Sequence, residues 1–172
     1  MNPKSEYDQA AEAFLSKTGT AMECDYLGHF KYFEDDTYAR AVWEITLTRP
    51  GRPPSVFRYG QSLQDSYDVC HCDGRIPIRP WPPAFRFRGE TVSSGPYDIS
   101  QRRREPSAYD VLSCCSAELL CEPDFYKWCE DWGMSPDSRK ALAMHERCLL
   151  QSKQLLRTFP EPDVQDALLA IG

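Results

Sequence analysis

Three features of this sequence predict an α+β fold, with a small antiparallel sheet early in the chain and a helical half after it. In three runs between Met22 and Tyr59, apolar residues recur at every second position, the period of a strand with one buried face. From Ser107 onward they recur at intervals of three and four, the period of amphipathic helices. A long Pro- and Gly-containing stretch separates the two regimes, so strands and helices are segregated rather than alternating. The reading is a single domain over 1–172: helix plus sheet over 5–61, an irregular insertion over 62–105, and a helical half over 106–172.

The first element is a helix from Ser5 to Lys17. Ser5 is its N-cap, Tyr7, Ala10, Ala11, Phe14 and Leu15 lie near one face, and Thr18-Gly19 ends it. Three strands follow. Met22, Cys24 and Tyr26 alternate with Glu23 and Asp25. Ala41, Trp43, Ile45 and Leu47 alternate with Val42, Glu44, Thr46 and Thr48, which predicts one face for the core and one for water. Phe57 and Tyr59 alternate with Val56 and Arg58. Arg49 to Pro54 is turn chemistry, so the second and third strands form a hairpin, and Glu34-Asp35-Asp36 marks the turn between the first and second.

The stretch from Ser62 to Glu105 contains five prolines, Pro77, Pro80, Pro82, Pro83 and Pro96. Irregular segments of this length inside a domain tend to carry function. Within it, Ala84 to Arg88 alternates like a short strand. Beyond it, Ser107 caps a helix holding Ala108, Val111, Leu112 and Cys115. Pro123 fits the first turn of a second helix, whose rings are Phe125, Trp128 and Trp132 and whose stop is Gly133. A third helix starts near Ser135-Pro136-Asp137 and runs to Thr158. Its apolar stripe is Ala141, Met144, Cys148, Leu149, Leu155 and Leu156, with Phe159 at the end and Pro160 as the stop. Pro162 opens a short last helix with Val164, Leu168 and Leu169.

Composition narrows the function classes. Hydrophobic residues are 41% of the chain and aromatic residues 12%, enough to form a core. The formal net charge of -6 argues against general duplex-DNA binding and suits a basic protein partner or mimicry of a nucleic-acid backbone. The N-terminus has no apolar signal region and no stretch reaches spanning length, which predicts a cytoplasmic protein with reduced cysteines. Cys114, Cys115, Cys129 and Cys148 fall within helical patterns, where a thiol acts as a small core residue.

Two blocks resemble a family of uncharacterised small proteins encoded by bacteriophages and other mobile elements. One runs from Phe14 to Pro50 (FLSKTGTAMECDYLGHFKYFEDDTYARAVWEITLTRP) and continues in FRYGQSL; the other joins PSAYDVLSC, DFYKWCEDWG and DSRKA. The likeness covers about two thirds of the chain. It implies a phage or mobile-element origin in a bacterial host cell and no assigned activity. In this chain the link between GQSL and SAYDVLSC is the long Pro-rich stretch, whereas the family's is short. By analogy with other phage-encoded small acidic proteins, the expected role is inhibition of a host defence protein, such as a CRISPR effector.

The residues offer three chemistries. Acidic clusters at Glu34, Asp35 and Asp36 and at Glu130 and Asp131, with the rings Trp81, Phe85 and Phe87 of the insertion, are candidates for binding a basic partner. Carboxylates at helix N-termini, such as Glu122, Asp124 and Asp137, need no function, but Glu130 and Asp131 sit near a helix C-terminus and gain nothing from the dipole there. The alternative is single-stranded nucleic-acid binding through Arg86, Arg88, Arg102, Arg103 and Arg104, since arginines interleaved with rings combine phosphate contact with stacking. Cys70, His71 and Cys72 are metal candidates, but C-x-C without a second pair at ribbon spacing reads first as loop cysteines. His145, beside an apolar stripe, reads as a buried, hydrogen-bonded histidine. No phosphate loop, Rossmann glycine fingerprint, nucleophile elbow or Cys/His protease signature occurs, so neither enzyme activity nor a cofactor is expected.

Overall fold

The computed structural model describes residues 4–31, 39–62, 86–87, 90–91 and 105–172. Helix α1 (Glu6–Thr18) begins where Ser5 Oγ accepts from the Asp8 amide and ends at Gly19, whose φ of 67° is the left-handed conformation that glycine adopts without strain. Ala11 and Phe14 are its buried residues. Tyr7 and Ala10, expected on that face, are exposed instead; Tyr7 lies beyond the core edge with its ring beside Tyr109.

Strands β1 (Ala21–Lys31), β2 (Ala39–Thr48) and β3 (Ser55–Ser62) form an antiparallel sheet in the order β1-β2-β3. Ile45 stands opposite both Cys24 and Phe57, and Trp43 opposite both Tyr26 and Tyr59, so the alternation expected from sequence becomes one continuous apolar face. A register shift between Tyr26 and Gly28 bends β1. The expected β2–β3 hairpin turns through Arg49–Pro54, with Gly51 at φ 72°. The second face of β2 departs from expectation. Val42 is buried, because it packs against Trp128, Cys129, Ala141, Met144 and Cys148 of the helical half. Thr48, at the other end of the same face, is exposed.

In the insertion, β4 (Arg86–Phe87) pairs with β5 (Glu90–Thr91), so part of the segment expected to form a strand does so. Helix α2 (Ala108–Leu119) opens with a capping box: Ser107 Oγ accepts from the Asp110 amide, and Asp110 accepts from the Ser107 amide. Helix α3 (Phe125–Trp132) starts later than expected. Its N-cap is Asp124, so Pro123 precedes the cap rather than entering the first turn. Helix α4 (Arg139–Thr158) also starts later, at the cap Ser138. Ser135 instead organises a preceding turn, accepting from the amides of Asp137 and Ser138. Helix α5 (Pro162–Leu169) has its proline at the first position, as read from sequence.

The main core lies between the sheet face, α1, α2, the C-terminal half of α4 and α5. Trp43, Ile45, Leu47, Phe57 and Tyr59 meet Phe14, Val111, Leu112, Leu155, Phe159 and Leu168 there. Each such fully buried large side chain contributes about 1.5–3 kcal/mol. Polar contacts set the angle of α4 against the hairpin. Ser55 Oγ and Thr158 Oγ1 are 2.7 Å apart, and the Val56 amide donates to Gln154 Oε1. Arg49 donates to the Thr158 carbonyl and to Glu161, with its guanidinium 5.8 Å from the Phe159 ring. No helix among the described residues is long and apolar enough to cross a membrane.

Candidate functional site

Helix α3 carries a surface that combines exposed rings with an excess of carboxylates. Its termini are well defined: Asp124 accepts from the Lys127 amide at one end, and Gly133 (φ 65°) closes the other, donating to Cys129 and Glu130 carbonyls. Helical period divides the residues between them. Phe125, Trp128 and Cys129 face inward; Trp128 and Cys129 are buried in the second core cluster, with Phe125 packed against it. Tyr126, Lys127, Glu130 and Asp131 face outward and are exposed.

The inner rings pack against one another. Phe125 and Trp128 stack at 6.5 Å, Trp128 and Trp132 at 5.5 Å, and His145 lies against both Phe125 and Trp128. His145 is itself buried, and its Nε2 lies 2.8 Å from the Glu122 carbonyl, as its place beside the apolar stripe suggested. The last ring of the stack emerges: Trp132 is 40% exposed and Tyr126 is 72% exposed, so two aromatic surfaces flank the carboxylates. A Trp held by stacking presents contact area with little ordering cost on binding.

Charge on this surface is one-sided. Between Glu122 and Asp137 the chain has five carboxylates and one basic residue, Lys127. Lys127 pairs with Glu122 at 3.1 Å, and this contact holds Lys127 above and Glu122 below their ordinary ranges; for Glu122 the hydrogen bond from the Asp124 amide is the larger cause. Glu122 and Asp124 thus serve the helix N-terminus. Asp131 lies within electrostatic reach of Lys127, whose ammonium pairs with Glu122, and both Glu130 and Asp131 lie where a carboxylate meets the negative end of the helix dipole.

Among the partner-binding candidates read from sequence, the structure places Glu130 and Asp131 together on α3, beside Trp132. Phe87, and Arg86 of the nucleic-acid alternative, are neighbours in β4. Glu34, Asp35, Asp36, Trp81, Phe85, Arg88, Arg102, Arg103 and Arg104 lie outside the described residues, as do Cys70, His71 and Cys72. Among the described residues no group of His, Cys, Asp and Glu is arranged to hold a metal, and the six cysteines there are free thiols.

Two features escaped the sequence reading. Tyr126 was not singled out, although its place four residues before Glu130 puts both on one stripe. The interior also holds polar residues on the inward face of α4: Arg147 is 1% exposed, with Gln151 and Ser152 also buried, and Glu118 of α2 is buried against Cys148. Their signal was present, since 144, 147, 148, 151, 152 and 155 share helical register, but Arg and Gln in an apolar stripe read as boundary residues.

No protein-family model matches this chain, and neither a curated protein nor a solved structure is detectably similar to it.

Proposed function

We propose that this protein is a binding module that engages a basic surface of a partner protein through α3. Trp132 and Tyr126 are the aromatic anchors, and Glu130 and Asp131 the charges. The observation that carries this reading is the pair of exposed carboxylates set between two exposed rings, of which Trp132 stacks on the buried Trp128. Interfaces concentrate energy in such aromatic anchors, and rim charges steer complementary partners. The net charge of -6 acts in the same direction. Taken with the resemblance to phage-encoded small proteins, the partner class is a host protein with a nucleic-acid-binding groove, such as a CRISPR effector. The protein would then be a cytoplasmic inhibitor that needs neither cofactor nor catalysis.

Capture from bacterial lysate with tagged protein, with and without nuclease, tests the reading. A protein that remains bound after nuclease, and whose affinity falls as salt rises, supports it. Loss of all binding on nuclease treatment would shift the function to the alternative, nucleic-acid contact through Arg86, Arg88 and Arg102 to Arg104.

A further inference from the structure

Residues 120–124 join α2 to α3 and are clasped to α4 on both sides of Cys121. The Leu119 carbonyl accepts from Ser152 Oγ at 2.7 Å, and the Glu122 carbonyl meets His145 Nε2 at 2.8 Å. His145, Cys148 and Ser152 are three and four residues apart, so they share one face of α4. Cys121 lies between the two clasps in sequence and Cys148 between them on the helix, and both pack in the second core cluster. The Cys121 thiol donates to the Glu122 carbonyl at 3.7 Å, and it interacts electrostatically with Cys148. Cys148 is fully buried and Cys121 only partly, so a reagent from solution meets Cys121 first.

We infer that Cys121 and Cys148 form a reversible redox pair, in which Cys121 is the attacking thiol and Cys148 the resolving one. The oxidant class is a low-molecular-weight disulfide. Cys121 Sγ, as thiolate, attacks one sulfur of the reagent, whose S–S bond breaks and releases one small thiolate. Cys148 then attacks Cys121 Sγ and expels the second. Two protein thiols become one disulfide, the reagent is reduced to two thiols, and these take up the two cysteine protons.

The environment suits these roles. The Cys148 thiol donates toward Cys121 and holds it below the ordinary thiol range, against the opposing effects of burial, Glu118 and Glu122. The same contact, together with burial and Glu118, pushes Cys148 up, which suits the resolving role. Cys121 stands outside any helix, between the two clasps that hold its stretch of backbone against the Cys148 face of α4. Closure would tie the α2–α3 connection covalently to α4. The inference rests on interior packing and holds whether or not α3 binds a partner.

The test treats the full native chain with oxidised glutathione, blocks residual thiols by alkylation under denaturing conditions, and maps the peptides. The expected result is joint loss of alkylation at Cys121 and Cys148, a peptide linking them, and reversal by a dithiol. In Cys148→Ser, glutathione is expected to remain on Cys121 as a stable mixed disulfide. Should that variant fail to fold, the wild-type map alone decides. Both cysteines staying alkylatable, or Cys121 linked to Cys114, Cys115 or Cys129 instead, would overturn the pairing.

Discussion

Thr158→Val removes a single hydroxyl from the joint between α4 and the β2–β3 hairpin while keeping the side chain's shape. In the native protein Thr158 Oγ1 donates to the Pro53 carbonyl at 2.7 Å and accepts from Ser55 Oγ at 2.7 Å, and both Ser55 and Thr158 are fully buried. Valine leaves the buried Ser55 Oγ without its acceptor, a desolvation loss of about 1–3 kcal/mol. The Pro53 carbonyl loses a bond but belongs to an exposed residue that water can serve, so it adds about 0.5–1.5 kcal/mol. The expected total is about 1.5–4.5 kcal/mol. Ser55→Ala alone leaves the Thr158–Pro53 bond in place and should cost about 1 kcal/mol. The double variant Ser55→Ala/Thr158→Val has no orphaned serine hydroxyl, so its loss should fall below the sum of the singles by about 1–3 kcal/mol. Urea unfolding of the four proteins, compared at constant slope, reads this directly. A Thr158→Val change within about 0.5 kcal/mol of wild type, or strict additivity, would refute the claim that this hydroxyl pair holds the joint.

Acid should weaken the neighbouring contact. The Arg49 hydrogen bond, with Arg52 adding to it, holds the Glu161 carboxyl down to about 2 from 4.5. A depressed folded-state value stabilises the fold above the unfolded value and loses that contribution as pH falls from about 4.5 to about 2. Thermal melts of wild type should decline through that window, and Glu161→Gln should flatten this part of the decline. Gly133→Ala should cost about 1–2 kcal/mol, because Ala resists the left-handed conformation. A Cβ there would meet nothing within 4 Å, so Gly133→Asn, which tolerates that conformation, should recover much of the loss in the same melts.

What was legible in the sequence was whatever local chemistry decides. Ser5 and Ser107 cap helices and Gly19 and Gly133 end them, because each acts on amides or φ angles within a turn of itself. The sheet face was legible because Trp43, Ile45 and Leu47 alternate without interruption. Helix starts were less so where two residues competed: Ser135 and Ser138 can both cap, and Pro136 between them favours the turn, so α4 begins at the second. Burial of Val42, Arg147 and Gln151 depends on which helix lands on which face, and no local pattern encodes that. The same holds at the candidate surface. Trp128 and Trp132 are four apart and share a stripe, so periodicity could not tell the core ring from the exposed one. Trp128 lies inside the second core cluster, whereas Trp132, the last residue of α3, is 40% exposed.

The most direct test of the α3 surface is a matched pair of charge reversals in the partner-capture assay. Glu130→Lys/Asp131→Lys changes α3, and Glu23→Lys/Asp25→Lys makes the same net change on exposed positions of β1. With both variants folded by circular dichroism, the α3 pair should weaken partner binding about tenfold or more, equivalent to about 1.4 kcal/mol, while the β1 pair stays near wild type. Equal weakening by both would reduce the effect to overall charge, and unchanged binding by the α3 pair would contradict the account.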